Sequence, residues 1–160
     1  RTGGPLLMAR YFFDTSALVK NYHVEAGTPE VQRLLAEPGA ELLVSRLTAV
    51  EVVSGFATKV RTGAILTPEF QRLRGLFLAD VKRKLLQPMR MLNAHFQLAS
   101  DLIATHGTSR QLRTLDALQL AVALSLHQEA PLDFFVCADQ RLCDVATGEG
   151  LAVVNPETTP

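Results

Sequence analysis

The segment from Thr114 to His127 places Leu115, Ala117, Leu118, Leu120, Ala121, Val122, Ala123, Leu124 and Leu126 in one run, interrupted by Asp116, Gln119 and Ser125. At helical spacing these residues leave almost no polar face, so the helix must be covered on most sides. It is too short for the roughly 20 apolar residues that cross a bilayer. It therefore reads as the buried helix of a soluble protein, with no membrane partner, and it demands a layered fold around it.

The rest of the chain supplies the layers. Five short apolar runs read as strands: Tyr11–Phe13, Leu42–Val44, Leu86–Leu92, Phe134–Cys137 and Leu151–Val154. Pro88 inside the third demotes it to an edge strand or a loop. Between the runs lie helical patterns with start signals: Thr28-Pro29-Glu30 and Thr67-Pro68-Glu69, where Thr can cap and Pro opens the helix. Asn93 opens another helix and Gly107 closes it. From Thr67 to about Leu85, the residues Phe70, Leu73, Phe77, Val81 and Leu85 form one stripe. Strands alternating with helices indicate an α/β sandwich around a parallel sheet, in which ligands bind outside the carboxyl ends of the strands.

Composition agrees with a globular chain. Of 160 residues, 48% are hydrophobic and 20% charged, which excludes intrinsic disorder. Sixteen Lys and Arg balance sixteen Asp and Glu, which excludes a globally basic nucleic-acid coat. No repeat or linker divides the chain, so residues 8–160 are expected to form a single domain. Residues 1–7 have neither the charge nor the apolar run of a secretory signal, and are expected to be an added or disordered extension before Met8. Cys137 and Cys143 are too few for a disulfide framework and are expected to be reduced thiols in a cytoplasmic protein.

Four acids fall where such a sheet would place its chemistry. Asp14 directly follows the first strand and Asp139 the fourth; Glu51 lies early in the helix after the second strand, and Asp116 in the first turn of the apolar helix. Each has an ordinary reading taken alone. Asp14 and Asp139 suit helix N-caps, Thr48-x-x-Glu51 suits a capping box, and Asp116 complements a helix dipole. Asp116 is the hardest to dismiss, because its neighbours predict burial and a buried carboxylate needs a partner. Four converging carboxylates would repel one another unless a cation lay among them. All-oxygen donors suit Mg²⁺ or Mn²⁺ rather than zinc. The chemistry then expected is hydrolysis of a phosphodiester, in which the metal lowers the pKa of a bound water and takes a phosphate oxygen. Ser16 adds a hydroxyl beside Asp14.

The segments FFDTSALVK (Asp14), LTAVE (Glu51), LRTLDALQLAVAL (Asp116) and FVCADQRLCDVATGEGLAVVNP (Asp139), in this order, resemble PIN-domain ribonucleases, most closely the VapC-type toxins of toxin–antitoxin pairs. The resemblance runs from about Arg10 to Pro156. It implies a three-layer α/β/α sandwich with a five-stranded parallel sheet, and Mg²⁺- or Mn²⁺-dependent endonucleolytic cleavage of RNA. It also implies that Asp14, Glu51, Asp116 and Asp139 are the catalytic, metal-binding quartet with Ser16 in support, that the protein is a homodimer, and that a cognate antitoxin blocks the site. Gln119 departs from the pattern, standing where similar sequences often carry His. Three residues after Asp116 on the same helical face, it is placed to hydrogen-bond within the site.

Arg110 and Arg113, just ahead of the apolar helix, are placed to hold a substrate backbone. Between Lys59 and Arg90 eight basic residues face two acids, Glu69 and Asp80, either as a solvated helix face or as a phosphate-tracking surface. On the helix carrying Glu51, Val50, Val53, Ala57 and Val60 form one stripe, while Val52 and Phe56 fall off it, so two faces need packing partners. His23, His95, His106 and His127 show no metal-ligand spacing and read as surface or helix-end residues. Two other functions compete with a ribonuclease: a catalytically inactive PIN-like RNA-binding or scaffold module, and a phosphatase using Asp14 as nucleophile. The second usually carries another Asp two positions on, where this chain has Ser16.

Overall fold

In the computed structural model, which describes residues 8–159, the short apolar runs become five parallel strands: β1 (Arg10–Phe13), β2 (Glu41–Ser45), β3 (Gln87–Met89), β4 (Phe134–Val136) and β5 (Val153–Val154). Their order across the sheet is β3-β2-β1-β4-β5. The chain steps outward from β1 to β2 and β3, then returns to lay β4 on the other side of β1. That reversal opens a crevice between the carboxyl ends of β1 and β4. Pro88 lies in β3 at the sheet's edge, where its missing N–H is tolerated. β5 is shorter than the run Leu151–Val154 because Leu151, following the turn at Gly150 (φ +94°), bonds its N–H back to the Ala146 carbonyl at 3.1 Å.

Among the described residues seven helices cover the sheet: α1 (Thr15–Leu18), continued by a 3-10 turn over Val19–Asn21, α2 (Thr28–Leu35), α3 (Arg46–Arg61), α4 (Thr67–Lys82), α5 (Asn93–Arg110), α6 (Thr114–Glu129) and α7 (Gln140–Gly148). Alternation along β1 decides the layers, since successive side chains point to opposite faces. Phe12 joins Leu43 and Phe135 against α5, α6 and α7. Tyr11 and Phe13 join Leu42, Val44 and Val136 against α1 to α4. The result is the expected three-layer α/β/α sandwich. On α6 every residue from Ala117 to Leu124 is buried, as its composition demands. Among the described residues no helix is long and apolar enough to cross a membrane. Residues 1–7, expected to be an extension, lie outside the described residues.

Several helix ends differ from the sequence reading. Thr28 and Thr67 are the first helical residues rather than the caps, which are Gly27 and Leu66. The Thr28 hydroxyl is used elsewhere, donating to the Lys20 carbonyl at 2.8 Å and accepting from Glu25 N at 3.0 Å. Gly107 does not end α5, which runs on to Arg110 before Gln111 takes the left-handed conformation at φ 52°. α4 ends at Lys82, so Leu85 leaves the stripe and Leu86 enters the core instead. On α3 the core face is Val52 and Phe56, both fully enclosed, whereas Val50 on the other stripe is 68% exposed.

Gly27 has φ +86°, and a Cβ there would meet the Pro156 carbonyl carbon and oxygen at 2.9 Å. Gly27→Ala therefore combines a left-handed strain with a backbone clash. It should lower unfolding free energy by at least about 1–3 kcal/mol, read as a reduced urea midpoint; an unchanged midpoint would contradict the close approach.

Candidate active site

The crevice between β1 and β4 is tied together by one hydroxyl. Asp14 follows β1 and hydrogen-bonds through its N–H to the Val136 carbonyl of β4 at 2.9 Å. Ser16 donates its hydroxyl to Asp14 Oδ2 at 2.5 Å and accepts the Ala138 N–H at 3.0 Å, so it bridges the ends of both strands. The Ser16 N–H adds a third contact, to Asp14 Oδ2 at 3.0 Å. Both bonds from Ser16 to Asp14 fall on one carboxylate oxygen, Oδ2. Oδ1 of Asp14 accepts no hydrogen bond from any described residue.

The ordinary and the functional readings of the acids turn out to be compatible. Asp14 is the N-cap of α1 and Asp139 the N-cap of α7. Asp139 takes the Arg141 and Leu142 N–H groups on Oδ1 at 3.0 and 3.2 Å, and turns Oδ2 to Arg113 at 3.3 Å. In each case capping occupies one oxygen and orients the other. The capping box expected for Thr48 and Glu51 does not form, because α3 already begins at Arg46 and Thr48 is buried inside its first turn.

Glu51 instead faces across to α6. Its Oε1 accepts Gln119 Nε2 at 2.7 Å and the Thr15 hydroxyl at 3.2 Å. Gln119, only 1% exposed, also accepts the Ser45 hydroxyl at 2.7 Å and approaches Thr48 Oγ1 and Thr15 Oγ1 at 3.0 and 3.1 Å. This amide fixes the side chain of Glu51 from beneath the crevice. Thr15, Ser45 and Thr48 were not singled out as site residues in the sequence, although Ser45, Thr48 and Glu51 recur at the three-residue spacing of one helical face.

Asp116 is less buried than its neighbours imply, with its side chain 18% exposed, and its partner is Arg113, whose Nε lies 2.9 Å from Oδ2. The same guanidinium reaches Asp139, so Arg113 bridges two of the four acids. Among the described residues, no three His, Cys, Asp or Glu side chains are grouped so that they could hold one metal ion. Arg113 lies between Asp116 and Asp139, and Glu51 is drawn toward Gln119. Arg110 bonds none of the four acids and donates instead to the Asp144 carbonyl of α7 at 3.1 Å.

The family model for the PIN domain matches residues 11–148, from β1 to the end of α7. The chain belongs to the PIN-domain family. Among solved structures, VapC20 of Mycobacterium tuberculosis, described as a sarcin–ricin-loop-cleaving toxin, matches with a TM-score of 0.63 at 15% identity. The match covers 94% of this chain and 99% of that one, and at this identity it is a likeness of fold. The comparison with curated proteins returns no match.

Electrostatics connect the acids of this PIN domain. Burial pushes the Asp14 carboxyl up to about 6, partly offset by its bonds from Ser16 and reinforced by the negative charges of Asp116 and Glu51. The Arg113 guanidinium is held charged by its bond to Asp116, with Asp139 and Asp14 adding to the effect. Beneath Asp14 lies Cys137, whose Sγ is 3.6 Å from Ser16 Oγ. Its thiol is kept protonated by the hydrogen bond with Cys143, by burial and by the charge of Asp14. Both cysteines are free and buried. The histidines lie elsewhere: His95 and His127 accept backbone N–H groups near the ends of α5 and α6, and His106 contacts Glu149. In the basic stretch, Arg72 pairs with Glu69, Arg83 with Asp80 and Lys59 with Glu25, so three of its eight basic residues are ion-paired.

The folded value of Asp14 lies above the 3.8 of an ordinary Asp. Between about pH 4 and 6 the folded protein therefore keeps a proton that the unfolded chain releases, and stability falls as pH rises through that window. Asp14→Asn keeps a capping oxygen and removes the charge. In EDTA it should raise unfolding free energy at pH 7 by about 1–3 kcal/mol and flatten the slope between pH 4.5 and 7; parallel pH profiles would contradict this. A second measurement concerns Gln119. Gln119→Leu strands the Ser45 hydroxyl and one side of Glu51, and should cost about 1–3 kcal/mol in urea denaturation.

Proposed function

We propose that this PIN domain is a metal-dependent endoribonuclease and the toxin of a toxin–antitoxin pair. The observation that carries the reading is Asp14: a buried carboxylate at the central crevice, with one oxygen held by Ser16, the other without a hydrogen bond from any described residue, and two further acids close enough to resist its ionisation. A protein maintains such a group where a cation compensates it.

The donor chemistry fits Mg²⁺ or Mn²⁺, since Asp14, Glu51, Asp116 and Asp139 offer only carboxylate oxygens. Because no three of these acids are grouped closely enough in this arrangement to hold one ion, binding would require Arg113 to leave Asp116 and Asp139 and the four carboxylates to close together. When bound, the ion would supply Lewis-acid chemistry, activating water and neutralising charge on a phosphodiester. The chain's own groups divide the remaining work. Ser16 and the start of α1 fix one oxygen of Asp14; Gln119 and Thr15 fix Glu51; the start of α7 fixes Asp139. Arg113 supplies a fixed positive charge at the rim, where a phosphate would approach. The toxin reading brings with it an RNA substrate, a cognate antitoxin, a homodimer and a cytoplasmic location.

One observation favours a second reading. Arg113 already neutralises Asp116 and Asp139, as a protein would arrange if this crevice had given up catalysis and served only to bind RNA. The phosphatase reading is weaker, because the position two residues after Asp14 is Ser16 rather than a second Asp, and its hydroxyl is bonded to Asp14 Oδ2.

Two measurements separate these functions. Mg²⁺ or Mn²⁺ should raise the melting temperature of the wild-type protein at pH 7, and this shift should vanish in Asp14→Asn. Wild-type protein should cleave RNA only with the metal, and Asp14→Asn or Asp116→Asn should reduce cleavage by at least about 10²-fold while remaining folded. Full activity in either variant would overturn the site. Metal-independent RNA binding without cleavage would establish the second reading.

A further inference from the structure

Alongside the acids, the end of α5 and the outer face of α7 enclose an open cleft of about 800 Å³. Its lining includes Ser109, Arg110, Gln111, Arg141 and Thr147, with Gly148 at one end and no large apolar side chain. We propose that this cleft holds the sugar–phosphate backbone of single-stranded RNA beside the scissile bond. The proposal rests on the nuclease reading of the acidic crevice.

Charge is the first argument. Among the described residues, neither Arg110 nor Arg141 lies within salt-bridge distance of a carboxylate, in contrast to Arg113. Both guanidiniums are positioned by neutral acceptors instead. Arg110 Nη1 donates to the Asp144 carbonyl at 3.1 Å, and Arg141 Nη1 donates to Gln111 Oε1 at 2.9 Å. Such bonds orient the planar fork without cancelling its charge, leaving N–H groups for the bidentate recognition that phosphate invites. Asp144, the one acid in the lining, has its carboxylate engaged by Gln140 Nε2 at 2.8 Å. With two guanidiniums against one carboxylate, the lining carries a net positive charge.

Shape is the second. Gly148 lies against Arg110: a Cβ there would come within 3.1 Å of Arg110 Nη1. The absent side chain lets the guanidinium rest on the end of α7. Gln111 takes the left-handed conformation at φ 52°, turning the chain at the end of α5 while its side chain holds Arg141.

Continuity with the acids is the third. The Arg141 N–H bonds Asp139 Oδ1 at 3.0 Å, so the residue that orients an acid of the crevice also sends its side chain into the cleft. A strand lying on Arg141 and Arg110 would lead directly to Asp139. The polar lining suits a backbone contacted through phosphates and hydroxyls, with Ser109 and Thr147 as further donors. A protein segment would need an apolar anchor that this lining lacks.

The test is equilibrium binding of a fluorescein-labelled 12-nucleotide RNA of mixed sequence, by anisotropy in EDTA, over a salt series. The Arg110→Ala/Arg141→Ala double variant should bind about tenfold more weakly, with a log–log salt slope shallower by about 1.4, the value for two lost phosphate contacts on a single strand. Gly148→Ala should weaken binding to a smaller degree with an unchanged melting temperature, a result that a purely structural role for Arg110 would not give. Unchanged affinity and slope in the double variant would overturn the proposal. Displacement of the RNA by deca-glutamate at equal charge concentration would also overturn it, by showing that the cleft reads charge alone. Wild-type cleavage with Mg²⁺, measured in parallel, keeps the two readings apart: its absence would sink the nuclease, whereas its presence with flat variant binding would sink only the cleft.

Discussion

An enclosed carboxylate at the end of the central strand is the group around which this fold is arranged. Asp14 cannot be moved to the surface, because it continues β1, the strand with neighbours on both sides, and its N–H is bonded into β4. Its burial opposes ionisation, and Asp116 and Glu51 oppose it further. The surrounding structure answers with directed hydrogen bonds rather than with an ion pair to Asp14. Ser16 commits both its hydroxyl and its N–H to one oxygen, and in the same stroke ties the β1 and β4 ends of the crevice together. Positive charge enters from the rim, through Arg113.

The layers were legible because their causes are local. Short apolar runs alternating with helical patterns require a sheet covered on both faces, and the apolar circumference of α6 requires cover on nearly every side. Pro88 marks an edge for the same kind of reason. Asp14 and Asp139 were legible as strand-following acids at the ends where parallel sheets bind ligands. Helix ends were less so: Thr28 has the composition of a cap, yet its hydroxyl is claimed by Lys20 and Glu25 in a turn that sequence spacing does not reveal.

What the sequence could not convey is which side chains meet across the molecule. Glu51 followed Thr48 at capping-box spacing, but its actual partner is Gln119, 68 residues further along. Gln119 itself was visible as a departure from the family pattern, and the structure gives it a physical role as the amide that holds Glu51 in place. Arg113 was expected to wait for a phosphate; in the fold it is already committed to two carboxylates. Arg110 and Arg141, separated by helix α6 and strand β4 in the chain, converge only because α5 and α7 lie on the same face of the sheet.

The strand order carries a consequence for how the protein comes into being. Asp14 and Cys137 touch the same cluster, yet they lie 123 residues apart in the chain. A nascent chain emerging from the ribosome has β1 early, but β4, the strand that completes the crevice, appears only after α6 has been made. Until then Asp14 has no Val136 carbonyl to bond and no Ala138 N–H to steady its serine. A shortened product that stops before β4 would carry three of the four acids and still lack the crevice, so an incomplete copy of this chain is without its chemistry by construction.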